Sequence, residues 1–154
     1  MFNLLIILCA KYLVYFLVVF SLIYFLLQEK SKKKKMLLFS IFTLPTVFLV
    51  AKIMSSLYYS PRPFVAHHFT PLISHAANNG FPSDHALLSF ALASIIFIFN
   101  KKLGVALFLA GVIIGVSRIY AGIHSPIDVV GSFLISAVVS LLYYFVLKRF
   151  DKSL

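Results

Sequence analysis

The sequence predicts an all-α, polytopic membrane protein, a bundle of about five transmembrane helices forming one domain over residues 1–154. Three observations predict it. The chain is 62% apolar and 12% charged, whereas soluble domains average roughly 45–50% and about 25%. Five apolar runs approach the roughly 20 residues that a bilayer-crossing helix needs. The basic residues gather in clusters between those runs, as they do beside membrane helices.

The first run, Phe2 to Leu27, has no small-residue cleavage site after a short apolar core, so it reads as a retained span rather than a signal peptide. Lys11 interrupts it 19 positions before Lys30, which is about 28 Å of helix and places its amine within snorkelling reach of the opposite interface. The second run is Met36 to Tyr58. The third, Pro82 to Phe99, has an uninterrupted apolar stretch only from Ala86 to Phe99, short enough for a buried or re-entrant helix. Leu103 to Tyr120 and Pro126 to Leu147 complete the set. No repeat, heptad or low-complexity linker divides the chain.

Basic residues number 14 and acids 4, a formal charge of +10. Most of the excess lies in three clusters: Lys30 with Lys32 to Lys35, Lys101 with Lys102, and Lys148, Arg149 and Lys152. A nucleic-acid-binding face would gather its charge on a soluble surface, not between apolar runs. If all five segments cross, the clusters share one side and the long loop from Tyr59 to Phe81 lies on the other. The positive-inside rule then makes the clusters cytoplasmic, the N-terminus external and the C-terminus internal. Tyr58, Tyr59 and Tyr120 on one side, and Tyr143 and Tyr144 on the other, fit interfacial belts.

The acids are Glu29, Asp84, Asp128 and Asp151, too few for a two-metal site or a paired-carboxylate hydrolase. No metal or cofactor is expected. Cys9 stands alone, which excludes an intrachain disulfide and any Cys-x-x-Cys motif.

On the side away from the clusters, ionisable groups collect at one level, which in a membrane protein is a functional pointer. His124 and Asp128 are four residues apart, so on a helix beginning near Pro126 the carboxylate lies one turn from the imidazole and can hold one ring nitrogen as N–H. The other nitrogen is then free to attack or to take a proton. Pro82 and Ser83 suit a helix start, where free backbone N–H groups bind anions, and His85 lies one turn inside. Arg62, between Pro61 and Pro63, presents a guanidinium suited to phosphate oxygens, and Arg118 and Lys52 add positive charge. Taken singly, each has a plainer reading: a buried structural ion pair, a simple N-cap, an arginine or lysine meeting lipid headgroups. His67, His68 and His75 share the long loop without the spacing of a metal site and read as solvated.

Three segments together resemble the type 2 phosphatidic acid phosphatase superfamily of membrane lipid phosphatases. The third family motif is complete as Ser117-Arg118, five residues, His124, three residues and Asp128; Gly122, Pro126 and Gly131 also fit. The second appears as Pro82-Ser83-Asp84-His85, with Asp84 where the family has glycine, a variant similar to bacterial undecaprenyl pyrophosphate phosphatases. In the first, Arg62-Pro63 matches, but nine residues rather than six separate Lys52 from Arg62. The resemblance covers about Lys52 to Gly131, roughly half the chain.

It implies metal-independent hydrolysis through a phosphohistidine: His124 as nucleophile, Asp128 orienting it, and His85 protonating the leaving oxygen. Arg62, Ser83 and Arg118 would bind the phosphoryl oxygens, with Lys52 as a fourth. The substrate expected is undecaprenyl pyrophosphate at the outer leaflet of a bacterial inner membrane. Phosphatidylglycerophosphate, phosphatidic acid and lipid A 1-phosphate are the alternatives, and a small transporter or assembly subunit is the non-enzymatic one.

Overall fold

The computed structural model describes residues 1–150; Asp151, and Lys152 of the third basic cluster, lie outside the described residues. Among the described residues seven helices follow in order: α1 (Phe2–Lys11), α2 (Leu13–Leu26), α3 (Lys30–Leu57), α4 (Pro63–Ala66), α5 (Asp84–Phe99), α6 (Lys101–Tyr120) and α7 (Pro126–Phe150). There is no strand among the described residues, and an isolated bridge joins Pro61 to Asn79. By length and apolarity α3, α6 and α7 can each cross a membrane, and α1 with α2 makes a fourth span if the pair counts as one. That is three or four against the five expected from the apolar runs.

The difference lies in two places. The first run is bent by 46° at Tyr12, although it holds neither proline nor glycine there. A tertiary contact accompanies the bend: Arg118 Nη1 donates to the Ala10 carbonyl at 2.9 Å, inserting a side chain beside the helical ladder. Lys11, exposed at that bend, lies over the Tyr12 ring. The other is α5, whose 16 residues extend about 24 Å, less than the roughly 30 Å of a hydrocarbon core.

α5 tolerates its shortness because it is the centre of the bundle, packed against α2, α3, α6 and α7. Its alanines and serines bring those helices close, as small residues do where lipid supplies no hydrophobic drive for helix association. Ser89 and Ser94 bond the carbonyls one turn back, at 2.7 and 2.8 Å, so their hydroxyls are satisfied inside the helix. On α7, Ser132 and Ser136 donate across to the α5 side, to the carbonyls of Ser83 and Leu87, each at 3.0 Å. Large apolar side chains of α2, α3, α6 and α7 face outward, among them Phe16, Leu49, Leu109 and Leu142, as a lipid-facing surface requires.

The lysine cluster at the start of α3 satisfies the end of α2: Lys33 Nζ donates to the Leu26 carbonyl at 2.9 Å and Lys32 Nζ to Tyr24 Oη at 3.1 Å. These cations complement the partial negative charge of the helix C-terminus. Helix order then puts Lys30 to Lys35, Lys101, Lys102 and Lys148 at one end of the bundle, and the α3–α5 and α6–α7 connections at the other.

Phe81 wedges between the loop and α7. A Cβ at Gly131 would stand 2.2 Å from its ring. Gly131→Ala is therefore expected to cost about 1–3 kcal/mol through overpacking, read as a lower unfolding midpoint in detergent; an unchanged midpoint would refute this contact.

Candidate functional site

The α6–α7 connection is built around Gly122, whose φ of +78° lies in the left-handed region that glycine occupies without strain. The turn is tied to the long loop: Phe64 N–H donates to the Gly122 carbonyl at 3.1 Å and Leu72 N–H to that of Ala121 at 3.0 Å. Ala121 and Ile123 are buried with Ile6 and Ala10, with Phe64 and Ile73 packed against them. His124 follows, 2% exposed, and α7 begins two residues later.

Asp128 sits in the first turn of α7 and is fully buried. Its Oδ2 reaches back to accept the Ser125 N–H at 2.7 Å, a carboxylate satisfying an orphan donor at a helix start. The same oxygen lies 3.3 Å from His124 Nδ1. The helix start thus fixes the carboxylate, and the carboxylate fixes the imidazole.

On the far side of the ring, Arg62 Nη1 stands 3.3 Å and Arg118 Nη2 3.2 Å from His124 Nε2. A guanidinium only donates, so Nε2 must be the acceptor and Nδ1–H the donor to Asp128. The partners thereby assign the tautomer. Burial lowers the His124 pKa, and the cationic Arg118 and Arg62 lower it further against the raising effect of Asp128. The ring is neutral with its lone pair directed at two cations.

Each arginine is anchored chiefly on neutral acceptors. Arg62 donates through Nη1 to the Ile123 carbonyl at 2.8 Å, through Nη2 to that of Asn79 at 3.2 Å, and through Nε to Asn78 Oδ1 at 3.0 Å. Desolvation pulls its pKa below the ordinary guanidinium range, with Asp128 and Asp84 opposing. Arg118 is held by the Ala10 carbonyl already described. Its Nε, Asp128 Oδ1 and the Ser83 hydroxyl are buried without hydrogen-bond partners among the described residues.

Ser83 is the N-cap residue of α5, fully buried, and its N–H donates to the Asp128 carbonyl at 3.3 Å. His85, in the first turn of α5, is half-buried with its ring edge-on to Tyr15 at 6.3 Å, and it lies within electrostatic reach of Arg118 and His124. Six residues singled out from sequence are thus gathered at one end: Arg62, Ser83, His85, Arg118, His124 and Asp128. Lys52 is not joined to them; it is exposed on α3 and makes no hydrogen bond or ion pair among the described residues. No group of three metal-ligating side chains occurs among the described residues.

Two features escaped the sequence reading. Asn79 is a hub: Nδ2 donates to the carbonyls of Ser55 and Tyr58, both at 2.9 Å, while Oδ1 accepts from Ser60 N–H at 2.9 Å and Phe81 N–H at 3.0 Å. The Asn78-Asn79-Gly80 run is a turn signal that could have drawn attention to it. His75, read from sequence as solvated, is half-buried with its ring 6.2 Å from that of His124.

Comparison with known proteins matches residues 36–151 to the PAP2 superfamily. The chain belongs to that superfamily. It is 39% identical over 92 residues to undecaprenyl-diphosphatase BcrC of Bacillus subtilis, covering 60% of this chain and 48% of that one. It is 34% identical over 137 residues to the bacitracin transport permease protein BcrC of Bacillus licheniformis, covering 88% and 66%. The chain therefore spans about half to two thirds of the length of these relatives. Among solved structures it is similar to LpxE of Aquifex aeolicus, with a TM-score of 0.68 and 25% identity over 94% of this chain and 83% of that one. As a PAP2 superfamily member it is a multi-pass membrane protein, consistent with its apolar helices.

The depressed pKa of His124 has a direct sign. The unfolded chain protonates this residue near 6.5 while the folded chain resists, so folding stability contributed here is intact above 6.5 and declines as pH falls below it. Histidine NMR should show His124 still neutral at pH 6.5, in the Nδ1–H tautomer; an imidazolium at that pH would contradict the assignment.

Proposed function

We propose that this chain is a lipid phosphatase that transfers a phosphoryl group to His124 and then to water, and that its substrate is undecaprenyl pyrophosphate. The observation that carries the reading is the approach of two buried guanidiniums to one imidazole nitrogen whose opposite nitrogen is held by a carboxylate. Phosphoryl transfer asks mainly for positioning and for positive charge around the equatorial oxygens.

In the first step the phosphoryl oxygens take over the Arg62 and Arg118 N–H groups that otherwise point at Nε2. The freed lone pair attacks phosphorus. The bond from that phosphorus to the bridging oxygen breaks, its electron pair stays on the departing lipid monophosphate, and His85 supplies that oxygen with a proton. Asp128 stabilises the positive charge that develops on the imidazole. In the second step His85, now neutral, takes a proton from water as the water oxygen attacks phosphorus. The N–P bond breaks, orthophosphate leaves, and Nε2 recovers its lone pair. Ser83 Oγ and Arg118 Nε, buried without partners, are further donors for phosphoryl oxygens. The sequence contains too few carboxylates for a two-metal site, and no step needs a metal.

The lipid tail has a place beside this chemistry. A wholly apolar cavity of about 580 Å³ runs along α6 and α7 from Ile119 and Pro126, which flank the α6–α7 turn in sequence, down to Phe108 and Phe133. The positive-inside rule favours a site at the outer face, with the N-terminus outside and the C-terminus cytoplasmic, and the proposed membrane is a bacterial inner one. The similarity to an undecaprenyl-diphosphatase and Asp84 in the second motif favour the prenyl substrate. Phosphatidylglycerophosphate, phosphatidic acid and lipid A 1-phosphate share the same headgroup chemistry.

One relative is described as a transport permease, which makes transport the second reading. A polar path across the membrane would need ionisable groups at several depths. Here the buried ionisable residues among those described, Arg62, Arg118, His124 and Asp128, all stand at one end, and the buried serines of α5 and α7 largely bond helix carbonyls. The enzyme reading fits this distribution better.

Purified protein in detergent with chelator is expected to release phosphate from undecaprenyl pyrophosphate faster than from the three other lipids, and His124→Ala to lose about 10³-fold or more of the rate. Folded protein that releases phosphate from none of them would overturn the reading. For the tail, Val130→Trp, which fills the apolar cavity, should raise KM for the long-chain substrate several-fold while leaving turnover of a short-chain soluble phosphomonoester unchanged. Equal effects on both substrates would place the tail elsewhere.

A further inference from the structure

The long loop carries a histidine that this mechanism leaves unused. His75 is half-buried, and its ring meets that of His124 at 6.2 Å with an interplanar angle of 75°. The neighbouring loop is fixed, since Leu72 N–H donates to the Ala121 carbonyl at 3.0 Å and Ile73 packs on the buried Ala121 and Ile123. The same turn that positions His124 therefore positions His75. Its Nδ1 lies 3.4 Å from the Ala76 carbonyl; a carbonyl only accepts, so Nδ1 carries the hydrogen and Nε2 has the lone pair.

Resting on the reading of this site as a phosphoryl-binding one, we infer that His75 is a phosphoryl-contacting residue that gains a proton at Nε2 as the anion binds and then donates it as a hydrogen bond to a phosphoryl oxygen. An anion that takes the N–H groups of Arg62 and Arg118 occupies the space beside the His124 ring, and His75 flanks that ring from the outer loop.

The charges around His75 supply the switch. Arg62 before α4, Arg118 on α6 and Asp84 at the start of α5 act on it; it acts in turn on His85, and its ring meets that of His124 in the α6–α7 turn. Without an anion, burial is the largest influence and keeps the ring neutral; the Arg62 and Arg118 charges add to it, opposed by the Ala76 carbonyl and Asp84. A bound phosphate dianion cancels the field of the two arginines and offers an acceptor, so the balance at His75 reverses. Departure of orthophosphate restores the arginines' field and expels the proton, which weakens the donor to the product and aids its release.

The experiment uses the full chain in detergent with inorganic orthophosphate as the probe, comparing wild type with His75→Gln. Binding measured calorimetrically in buffers of different ionisation enthalpy is expected to show extra proton uptake by the wild type relative to the variant, a difference from which the titration of phosphate itself cancels. The variant should bind about ten-fold more weakly at pH 6.5, the loss of one hydrogen bond to a charged group, and the gap should close toward pH 8. In the wild type alone, histidine ¹⁵N spectra should show His75 pass from neutral to imidazolium on adding phosphate, which reads the proposal even if the variant folds poorly. Equal proton uptake and affinity in both proteins, or a His75 that stays neutral with phosphate bound, overturns the inference and leaves the phosphatase intact. Wild type that neither binds orthophosphate nor cleaves a lipid phosphate overturns both.

Discussion

The repulsion between two buried cations is the constraint on which the rest of this structure depends. Arg62 and Arg118 are 5% and 4% exposed, and both direct an N–H at His124 Nε2. Buried charges are tolerated when they are hydrogen-bonded, and unpaired ones are costly. A protein built only for stability would set a carboxylate between them. Here their anchors are the carbonyls of Ala10, Ile123 and Asn79 and the Asn78 amide oxygen. Such acceptors satisfy donors without cancelling charge. The one buried carboxylate among the described residues, Asp128, is spent on the opposite nitrogen of His124, so the cluster stays cationic and favours an anion.

The bundle's packing serves the same constraint. Four chain segments must deliver polar side chains to one point while their helices remain in lipid, and α5 makes this possible by being central and short. Its N-terminus is bonded to the first turn of α7 in two ways: Ser83 N–H donates to the Asp128 carbonyl at 3.3 Å, and Ser132 Oγ donates to the Ser83 carbonyl at 3.0 Å. A slide of α7 along α5 by one residue would break both bonds and carry His124 and Asp128 together away from Ser83. The register of the two helices therefore sets where the histidine–carboxylate pair meets the start of α5.

The parts legible in sequence were those encoded locally. The spacing of four between His124 and Asp128, the Pro126 helix start and the apolar runs of α3, α6 and α7 depend on residues close along the chain, and they emerge as read. What was not legible depends on distant partners. The bend at Tyr12 lies in a run whose composition favours a straight helix, and the accompanying contact, from Arg118 to Ala10, spans 108 positions. Asn79 and His75 sit in a polar loop where composition alone assigns neither a partner nor a direction. Lys52 shows the converse: a residue type matched to a motif without the spacing remains exposed on α3, apart from the cluster.

The proposed chemistry also explains why the charges are confined to helix ends. Hydrolysis through a covalent intermediate needs a lipid leaving group in the first step and water in the second, at the same phosphorus atom. Deep in the bilayer water would be scarce, and the two guanidiniums would cost far more to hold. Fully in water the tail would lose its apolar surroundings. At the end of the bundle both demands can be met: the long polar loop lies there, and the apolar cavity along α6 and α7 reaches Ile119 and Pro126 on either side of the α6–α7 turn. That turn is where the proposed nucleophile is fixed.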